Sequence, residues 1–349
     1  MAKTRENQKV GMNIAPNNEI AAGWSQQANS IRGVAAGANS TSATGNRSVS
    51  PDTARLIADF AGARGIPEGF VDTAVAWYVD GAARIAARFQ QLERPLLVGV
   101  SGCQGSGKST LADLLATLLS SEQGLRVAQL SLDDFYLGRE SRAALGRDVH
   151  ALFATRGVPG THDLGWLERA IDELLAGSGT VITPMFDKAE DDRTGEDRWH
   201  HFGAPVDIVF LEGWCIGIPP QSEGELITPC NDLEQRLDPD GSWRTQVNQR
   251  LREYQSVFDR LDLLFVLQAP DFDAVARWRF EQEEHLAARR AAAGQSSGHA
   301  IMDRQQVAQF VQYFQRLTEH GLKVLPALAD RVWLLNADRS IDGIWRGGQ

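Results

Sequence analysis

The stretch Leu96-Leu-Val-Gly-Val-Ser-Gly-Cys-Gln-Gly-Ser-Gly-Lys-Ser-Thr-Leu111 limits the possible folds of this chain more than any other. Leu96 to Val100 is an unbroken apolar run, the pattern of a parallel strand buried on both faces. After Lys108, Ser109 and Thr110 the apolar positions Leu111, Leu114, Leu115, Leu118 and Leu119 recur at helical spacing. Between strand and helix lie Gly102, Cys103, Gln104, Gly105, Ser106 and Gly107. The three glycines let the backbone curl with its N–H groups turned inward around an anion. Lys108 then reaches toward β- and γ-phosphates, and the Ser109 hydroxyl becomes a ligand for Mg²⁺. The flanking strand and helix are the context that separates a phosphate-binding loop from a glycine-rich surface turn. Cys103 lies inside this loop, so a bulky thiol reagent is expected to inhibit and bound nucleotide to protect.

At 349 residues and 43% hydrophobic content, the chain can bury one large α/β core. Its net charge of −10 argues against nucleic acid and anionic membrane as partners, because neither surface would attract it. Cys103, Cys215 and Cys230 form no CxxC pair, which suits a reducing compartment and offers no zinc framework, so Mg²⁺ on oxygen ligands is the expected metal. With no apolar window long enough for a membrane span and no apolar secretory core, the expectation is a soluble cytoplasmic protein. Residues 1–50 are rich in Asn, Ser, Ala, Gly and Gln without periodicity and are expected to be a disordered tail. Only Glu6 and Glu19 are acidic there, which keeps a transit peptide as the alternative, although an arginine-rich amphipathic face is missing.

From Pro51 to about residue 92 the pattern is helical, with Val71, Ala74, Val75, Tyr78, Ala82, Ile85 and Phe89 on one stripe. A second strand, Leu125 to Leu132, runs into Asp133-Asp134-Phe135-Tyr136. Open parallel sheets bind ligands at the carboxyl ends of their strands, so these carboxylates should arrive near a γ-phosphate. A helix cap is the structural alternative. Two carboxylates there can supply a base for a hydroxyl and a ligand for Mg²⁺. Asp163, before a helix from about Trp166 to Ala176, reads as its cap; His162 fits either a cap or a substrate contact. Thr180 to Asp187 is a short extended segment, followed by a charge run to Arg198. That run is either a solvated loop or, through Lys188, Arg193 and Arg198, a forked site for a small carboxylate. Asp207 to Trp214 is an apolar strand ending in Glu212, placed to support Mg²⁺ or its water. Residues Gly217 to Ser242 read as a connection, Leu263 to Leu267 as another buried strand and Asp271 to Ala293 as a charged helix carrying Arg277 and Arg279. After a Gly294–Gly298 linker come a helix from Arg304 to Gly321 and a last strand, Val332 to Leu335. Alternating strands and helices predict an α/β fold with a doubly wound, mainly parallel sheet in one domain over residues 51–349, with a helical lid near 271–300.

Ser131-Leu-Asp-Asp-Phe-Tyr136, Gly160-Thr-His-Asp163, Phe186-Asp-Lys188, Gly195-Glu-Asp-Arg198, Phe210-Leu-Glu-Gly-Trp214 and Arg277-Trp-Arg279 follow the phosphate loop in order. In this the chain, from about Val71 to Asn336, resembles the D-glycerate 3-kinase family, part of the uridine kinase, phosphoribulokinase and pantothenate kinase group of P-loop kinases. The resemblance implies ATP and Mg²⁺ as cofactors and transfer of the γ-phosphoryl to the 3-hydroxyl of D-glycerate. It further implies that the amides of residues 102–107, with Lys108, Ser109 and Thr110, hold the triphosphate and metal. Asp133 would accept or orient the hydroxyl proton, and Ser109, Asp133 and Glu212 would serve the metal. Arg277 or Arg279 would close over the phosphates, while Lys188 and Arg198 hold the substrate carboxylate beside Asp134, Tyr136, His162, Asp163 and Asp187. The expected partner is thus a small acidic substrate, with further copies of the chain as the one macromolecular partner left open. Competing expectations are a uridine-like or pantothenate-like kinase, a non-catalytic ATP-binding regulator, and a GTPase-like switch. The last would need an Asn-Lys-x-Asp signature, and Asn336-Ala-Asp338 lacks the Lys and the spacing.

Overall fold

The computed structural model describes residues 49–292 and 302–345. The expected tail, apart from its last two residues, and the 294–298 linker lie outside the described residues. Helices α1 (Pro51–Arg64), α2 (Gly69–Thr73) and α3 (Val79–Leu92) come first, with a π-helical turn, Ala74–Tyr78, between the last two. Ser50 caps α1 by accepting the Thr53 amide at 3.0 Å, and Pro51 needs no partner there because it has no N–H.

Strand β1 (Leu96–Gly102) leads into α4 (Lys108–Gln123), then β2 (Val127–Ser131), α5 (Arg139–Asp148) and α6 (Leu164–Ala176). The strands β3 (Gly179–Thr183), β4 (Phe186–Asp187), β5 (Asp192–Arg193) and β6 (His200–Ala204) pair as two small antiparallel ribbons, β3 with β6 and β4 with β5. The chain continues through β7 (Ile208–Gly213), α7 (Asp232–Leu237), α8 (Ser242–Phe258), β8 (Leu263–Gln268), α9 (Phe272–Ala292), α10 (Arg304–Leu328), β9 (Arg331–Leu335) and β10 (Ile341–Trp345).

The main sheet has six strands in the order β10-β9-β8-β1-β7-β2, all parallel except β10. Side chains alternate across a strand, so the apolar runs divide between two cores. Leu97, Val209, Leu211 and Val266 face α6, α8 and α10; Leu96, Val98, Val100, Phe210 and Phe265 face α1, α3 and α4. The expected doubly wound α/β sheet is therefore present, with helices on both faces.

The structure differs from the sequence expectation at the carboxyl end of the chain. Helix α10 continues past Gly321 to Leu328 even though Pro326 lies in its last turns. A helical proline leaves the carbonyl four residues earlier without its amide. Here that carbonyl, Leu322 O, accepts Gln268 Nε2–H at 2.9 Å, so β8 supplies the missing bond. Gly321 serves packing instead of capping, since a Cβ there would lie 2.7 Å from Ile218. Elements not anticipated include α5, β6, β10, and α7 inside the 217–242 connection, which starts at an Asn231 side chain that accepts the Glu234 amide at 3.0 Å. Among the described residues no helix is long and apolar enough to cross a membrane.

The loop before α6 carries His162 and is locked by Gly157, which has φ 139° and whose carbonyl accepts the Trp214 indole N–H at 3.1 Å. A Cβ on Gly157 would meet the Phe314 ring at 2.4 Å, backbone and packing strain together. Gly157→Ala is expected to lower stability by roughly 2 kcal/mol or more, read from urea unfolding midpoints; a neutral result would show that α10 yields easily.

Candidate active site

Parallel strands bring the carboxyl ends of β1, β2, β7 and β8 to one edge. There the loop after β1 turns through Gly105 and Gly107, with φ of 77° and 91°, into the first turn of α4. Gly105 is required on a second ground: a Cβ would lie 2.6 Å from Trp278 of α9. Lys108 and Ser109 open α4, and Glu212 of β7 faces them. The Ser109 hydroxyl donates to Glu212 Oε1 at 2.9 Å, and Lys108 Nζ stands 3.7 Å from Oε2. Burial opposes the Lys108 charge, but Glu212 and Asp133 outweigh it and raise its pKa above the usual lysine value. Thr110 follows on the same first turn.

Asp133 and Asp134 lie in a 3₁₀ turn, Leu132–Phe135, directly after β2. Asp133 accepts Lys188 Nζ at 2.6 Å and the Tyr136 hydroxyl at 3.0 Å. Burial disfavours its charge, yet Lys188 and Lys108 together hold the carboxyl well below the usual range. Asp134 has a different environment. It accepts the Phe186 amide at 3.2 Å and lies 3.4 Å from His200 Nε2, and burial, the largest influence, raises its pKa. Asp134 thus ties β4 and β6 to the turn that carries Asp133.

Tyr136 stacks on His162 with ring centroids 4.4 Å apart. Asp163 caps α6 through the Trp166 amide at 3.1 Å and pairs with Arg193 at 3.1 Å. Arg193 also donates to Tyr136 O at 2.9 Å, so this cation is committed to positioning the loop. Asp187 accepts the Ala189 amide at 2.9 Å and lies 3.4 Å from Arg198, which is half exposed. The charge run is not a loose solvated loop: the buried Arg142 donates to Asp191 O at 2.6 Å, and Arg156 pairs with the Asp191 carboxylate.

The arginines of α9 separate. Arg277 is exposed, while Arg279 pairs with Glu283 and lies over the Phe310 ring of α10 at 5.7 Å. The arginine that contacts the phosphate loop is Arg339, in the β9–β10 turn. It donates to Gly105 O at 2.7 Å, pairs with Glu281 at 2.6 Å and covers Trp278 at 5.1 Å. Arg339 sits at φ 68° in Asp338-Arg-Ser340, a turn visible in sequence only once β10 is recognised. Tyr254 of α8, on the helical stripe that Val247, Leu251, Phe258 and Leu261 share in sequence, reaches His162 Nδ1 at 2.7 Å.

Cys103 corrects the expectation of thiol reactivity. It belongs to the core facing α4, and burial pushes its thiol up to about 12, so almost no thiolate is available. Burial raises Cys215, which lies in the opposite core, and Cys230 in the same direction.

Hard oxygen donors, Ser109 Oγ, Asp133 and Glu212, suit Mg²⁺, and Glu212 Oε2 is buried without a hydrogen-bond partner. No group of three or more His, Cys, Asp or Glu residues among those described forms a self-sufficient metal cage.

The fold and the phosphate loop define a P-loop kinase, and its relatives make it a phosphotransferase with an alcohol acceptor. No family model matches the chain. It is 33% identical over 230 residues to the uncharacterized kinase mug58 of Schizosaccharomyces pombe, covering 63% of this chain and 79% of that protein. Against the chloroplastic D-glycerate 3-kinase of Arabidopsis thaliana the identity is 30% over 227 residues, 62% of this chain and 45% of that one. The solved structure of D-glycerate 3-kinase from Cryptococcus neoformans superposes with a TM-score of 0.63 at 27% identity, covering 77% of this chain and 98% of that one. The chain belongs to the D-glycerate 3-kinase family of ATP-dependent P-loop kinases.

Two outcomes follow for the unliganded protein. Cys103 should stay unmodified by a bulky aromatic disulfide at pH 8 until the chain is denatured; rapid labelling of native protein would show that the loop opens. His162 is pushed down to about 4 by burial, against the pull of Asp133. Between the unfolded histidine value near 6.5 and this one, the unfolded chain binds the extra proton. Stability should therefore fall as pH drops from about 6.5 toward about 4. Burial lowers His320 as well and adds to the loss. Urea midpoints at pH 7 and pH 5 should show a smaller acid loss for His162→Gln than for the parent; identical losses would place the ring in a wetter environment.

Proposed function

We propose that the acceptor is D-glycerate, phosphorylated on its 3-hydroxyl with Mg-ATP as donor. The observation that carries this reading is the 2.6 Å contact between Lys188, a largely exposed cation, and Asp133 at the carboxyl end of β2. A substrate with a hydroxyl and a carboxylate two carbons apart can separate that pair and satisfy both members. Its hydroxyl goes to Asp133 and its carboxylate to Lys188, with Arg198 nearby on the same segment. The relatives named D-glycerate 3-kinase support the same choice.

In this mechanism the loop amides, Lys108, Ser109 and Thr110 hold the triphosphate, with Ser109, Asp133 and Glu212 available to Mg²⁺ or its waters. The metal, when bound, neutralises charge on the phosphate oxygens. The C3 oxygen forms a bond to the γ-phosphorus as the bond to the departing ADP oxygen breaks, and the hydroxyl proton passes to Asp133. In the free protein Asp133 is a weak base because Lys188 and Lys108 face it. Binding removes both restraints, since Lys108 engages phosphate and Lys188 engages the substrate carboxylate. Its basicity rises when the acceptor is in place. A loose transition state needs orientation and charge neutralisation more than a strong base, so this modest base suffices. Exposed Arg277 can swing over the phosphates; Arg279 would first have to leave Glu283.

ADP release from Mg-ATP, measured with D-glycerate, L-glycerate, uridine, cytidine, pantothenate and ribulose 5-phosphate, tests the acceptor. D-glycerate alone should stimulate, giving 3-phosphoglycerate; stimulation by another member would replace the acceptor and end the carboxylate argument. Asp133→Asn should lower kcat by roughly 10²- to 10⁴-fold with little change in KM for ATP. Unchanged kcat would remove Asp133 from the proton path.

A further inference from the structure

His162 and Tyr254 form a pair that neither the phosphate loop nor the carboxylate-binding segment explains. The Tyr254 oxygen receives the Gly160 amide at 3.2 Å. Between a phenol and a neutral imidazole the stronger hydrogen bond runs from the phenol O–H to the bare ring nitrogen, and the amide already on the Tyr254 oxygen favours that direction. The partner for that proton is His162 Nδ1, 2.7 Å away. Nδ1 therefore accepts, and a neutral ring must carry its proton on Nε2. Burial, which pushes the ring down to about 4, keeps it neutral near pH 7.

Nε2 is buried and has no hydrogen-bond partner. A buried donor without an acceptor is costly, so such an atom in a site points to a ligand. The surroundings say where that ligand sits. Tyr136 covers one face of the imidazole at 4.4 Å and donates its hydroxyl to Asp133 Oδ1 at 3.0 Å. Tyr254 meets the ring edge to face at 5.7 Å. The free nitrogen thus belongs to the layer of side chains that holds Asp133.

We infer that Tyr254 fixes His162 as a neutral Nε2–H donor, and that this donor reads the substrate oxygen adjacent to the hydroxyl being phosphorylated. The second half rests on the glycerate reading above. There the attacking oxygen meets Asp133 and the carboxylate meets Lys188, which leaves the middle hydroxyl as the acceptor without a partner. A neutral donor suits a neutral oxygen and adds no charge to a site already balanced between two cations and a carboxylate. His162 is then a specificity residue and Tyr254 a positioning residue that acts through it.

The full-length chain, labelled with ¹⁵N at its seven histidines, tests the tautomer directly. Long-range ¹H–¹⁵N spectra at pH 7, with His162 assigned by its loss in His162→Gln, should show a protonated Nε2 and a bare Nδ1; Tyr254→Phe should shift the ring toward mixed tautomers. An Nδ1–H ring or an imidazolium overturns the inference. Kinetics test the reading of the substrate. The parent should prefer D-glycerate to 3-hydroxypropionate, which lacks the middle hydroxyl, by roughly tenfold or more in kcat/KM. His162→Gln, whose amide can present an N–H near the Nε2 position, should retain most of that preference, and His162→Ala and His162→Asn should lose it. A preference that survives in His162→Ala overturns the specificity role. If the parent does not turn over D-glycerate at all, the proposed acceptor fails and the hydroxyl reading falls with it, while the spectra still decide the tautomer.

Discussion

The rest of the site depends on the contact between the last carboxylate of β7 and the first turn of α4. Lys108 is largely buried, and a buried ammonium without a counter-charge would be unfavourable by several kcal/mol. Glu212 supplies that charge because strand alternation fixes its face. Phe210 packs in the core on the α4 side, so Glu212, two residues on, points toward α4 as well. A one-residue slip of β7 would turn Glu212 to the opposite core and leave Lys108 and Ser109 without it. The register that pairs Val100 and Ser131 with Glu212 is therefore a condition of the chemistry as well as of the sheet.

The second constraint is charge placed against the chain's own balance. A protein with a net charge of −10 repels small anions at long range, so affinity for an acid must come from cations held at short range. In the proposed acid-binding role the run from Lys188 to Arg198 would meet this requirement by dividing its labour. Asp191 is gripped by Arg142 and Arg156, and Arg193 is spent on Asp163 and Tyr136 O. Those contacts anchor the segment and leave Lys188 and Arg198 exposed at its ends.

Strands buried on both faces were legible in sequence because their apolar runs are continuous, and the phosphate loop because few residue types allow its backbone. Adjacent strand ends also made the alignment of Asp133 and Glu212 with Lys108 foreseeable, since parallel topology alone brings them to one edge. Side-chain pairing across long separations was not legible. Arg339 and Gly105 are far apart in sequence, and their contact needs a hairpin whose second strand is short and only partly buried. The continuation of α10 was hidden for a related reason: the bond that replaces the one lost at Pro326 comes from Gln268 on another element. Cys103 misled because a loop that binds an anion was expected to expose its thiol, whereas the inward curl of the amides turns this side chain into the core behind.

These two kinds of contact, one set by register and one set by long-range pairing, act on different events. The β7–α4 contact exists before any ligand arrives and fixes the place of a triphosphate. In the proposed reaction the Lys188–Asp133 contact opens as the acceptor enters, because an ammonium drawn to the acceptor's carboxylate leaves the Asp133 oxygen it held at 2.6 Å open to the hydroxyl. In the proposed reaction Lys188 still faces Asp133 when the nucleotide is bound alone, so a water molecule near the γ-phosphoryl finds that carboxylate oxygen occupied. The proposed acceptor, carrying its own carboxylate, would draw Lys188 away and bring its hydroxyl in the same step. On that reading charge exchange adds to discrimination against water through the position of the hydroxyl more than through base strength.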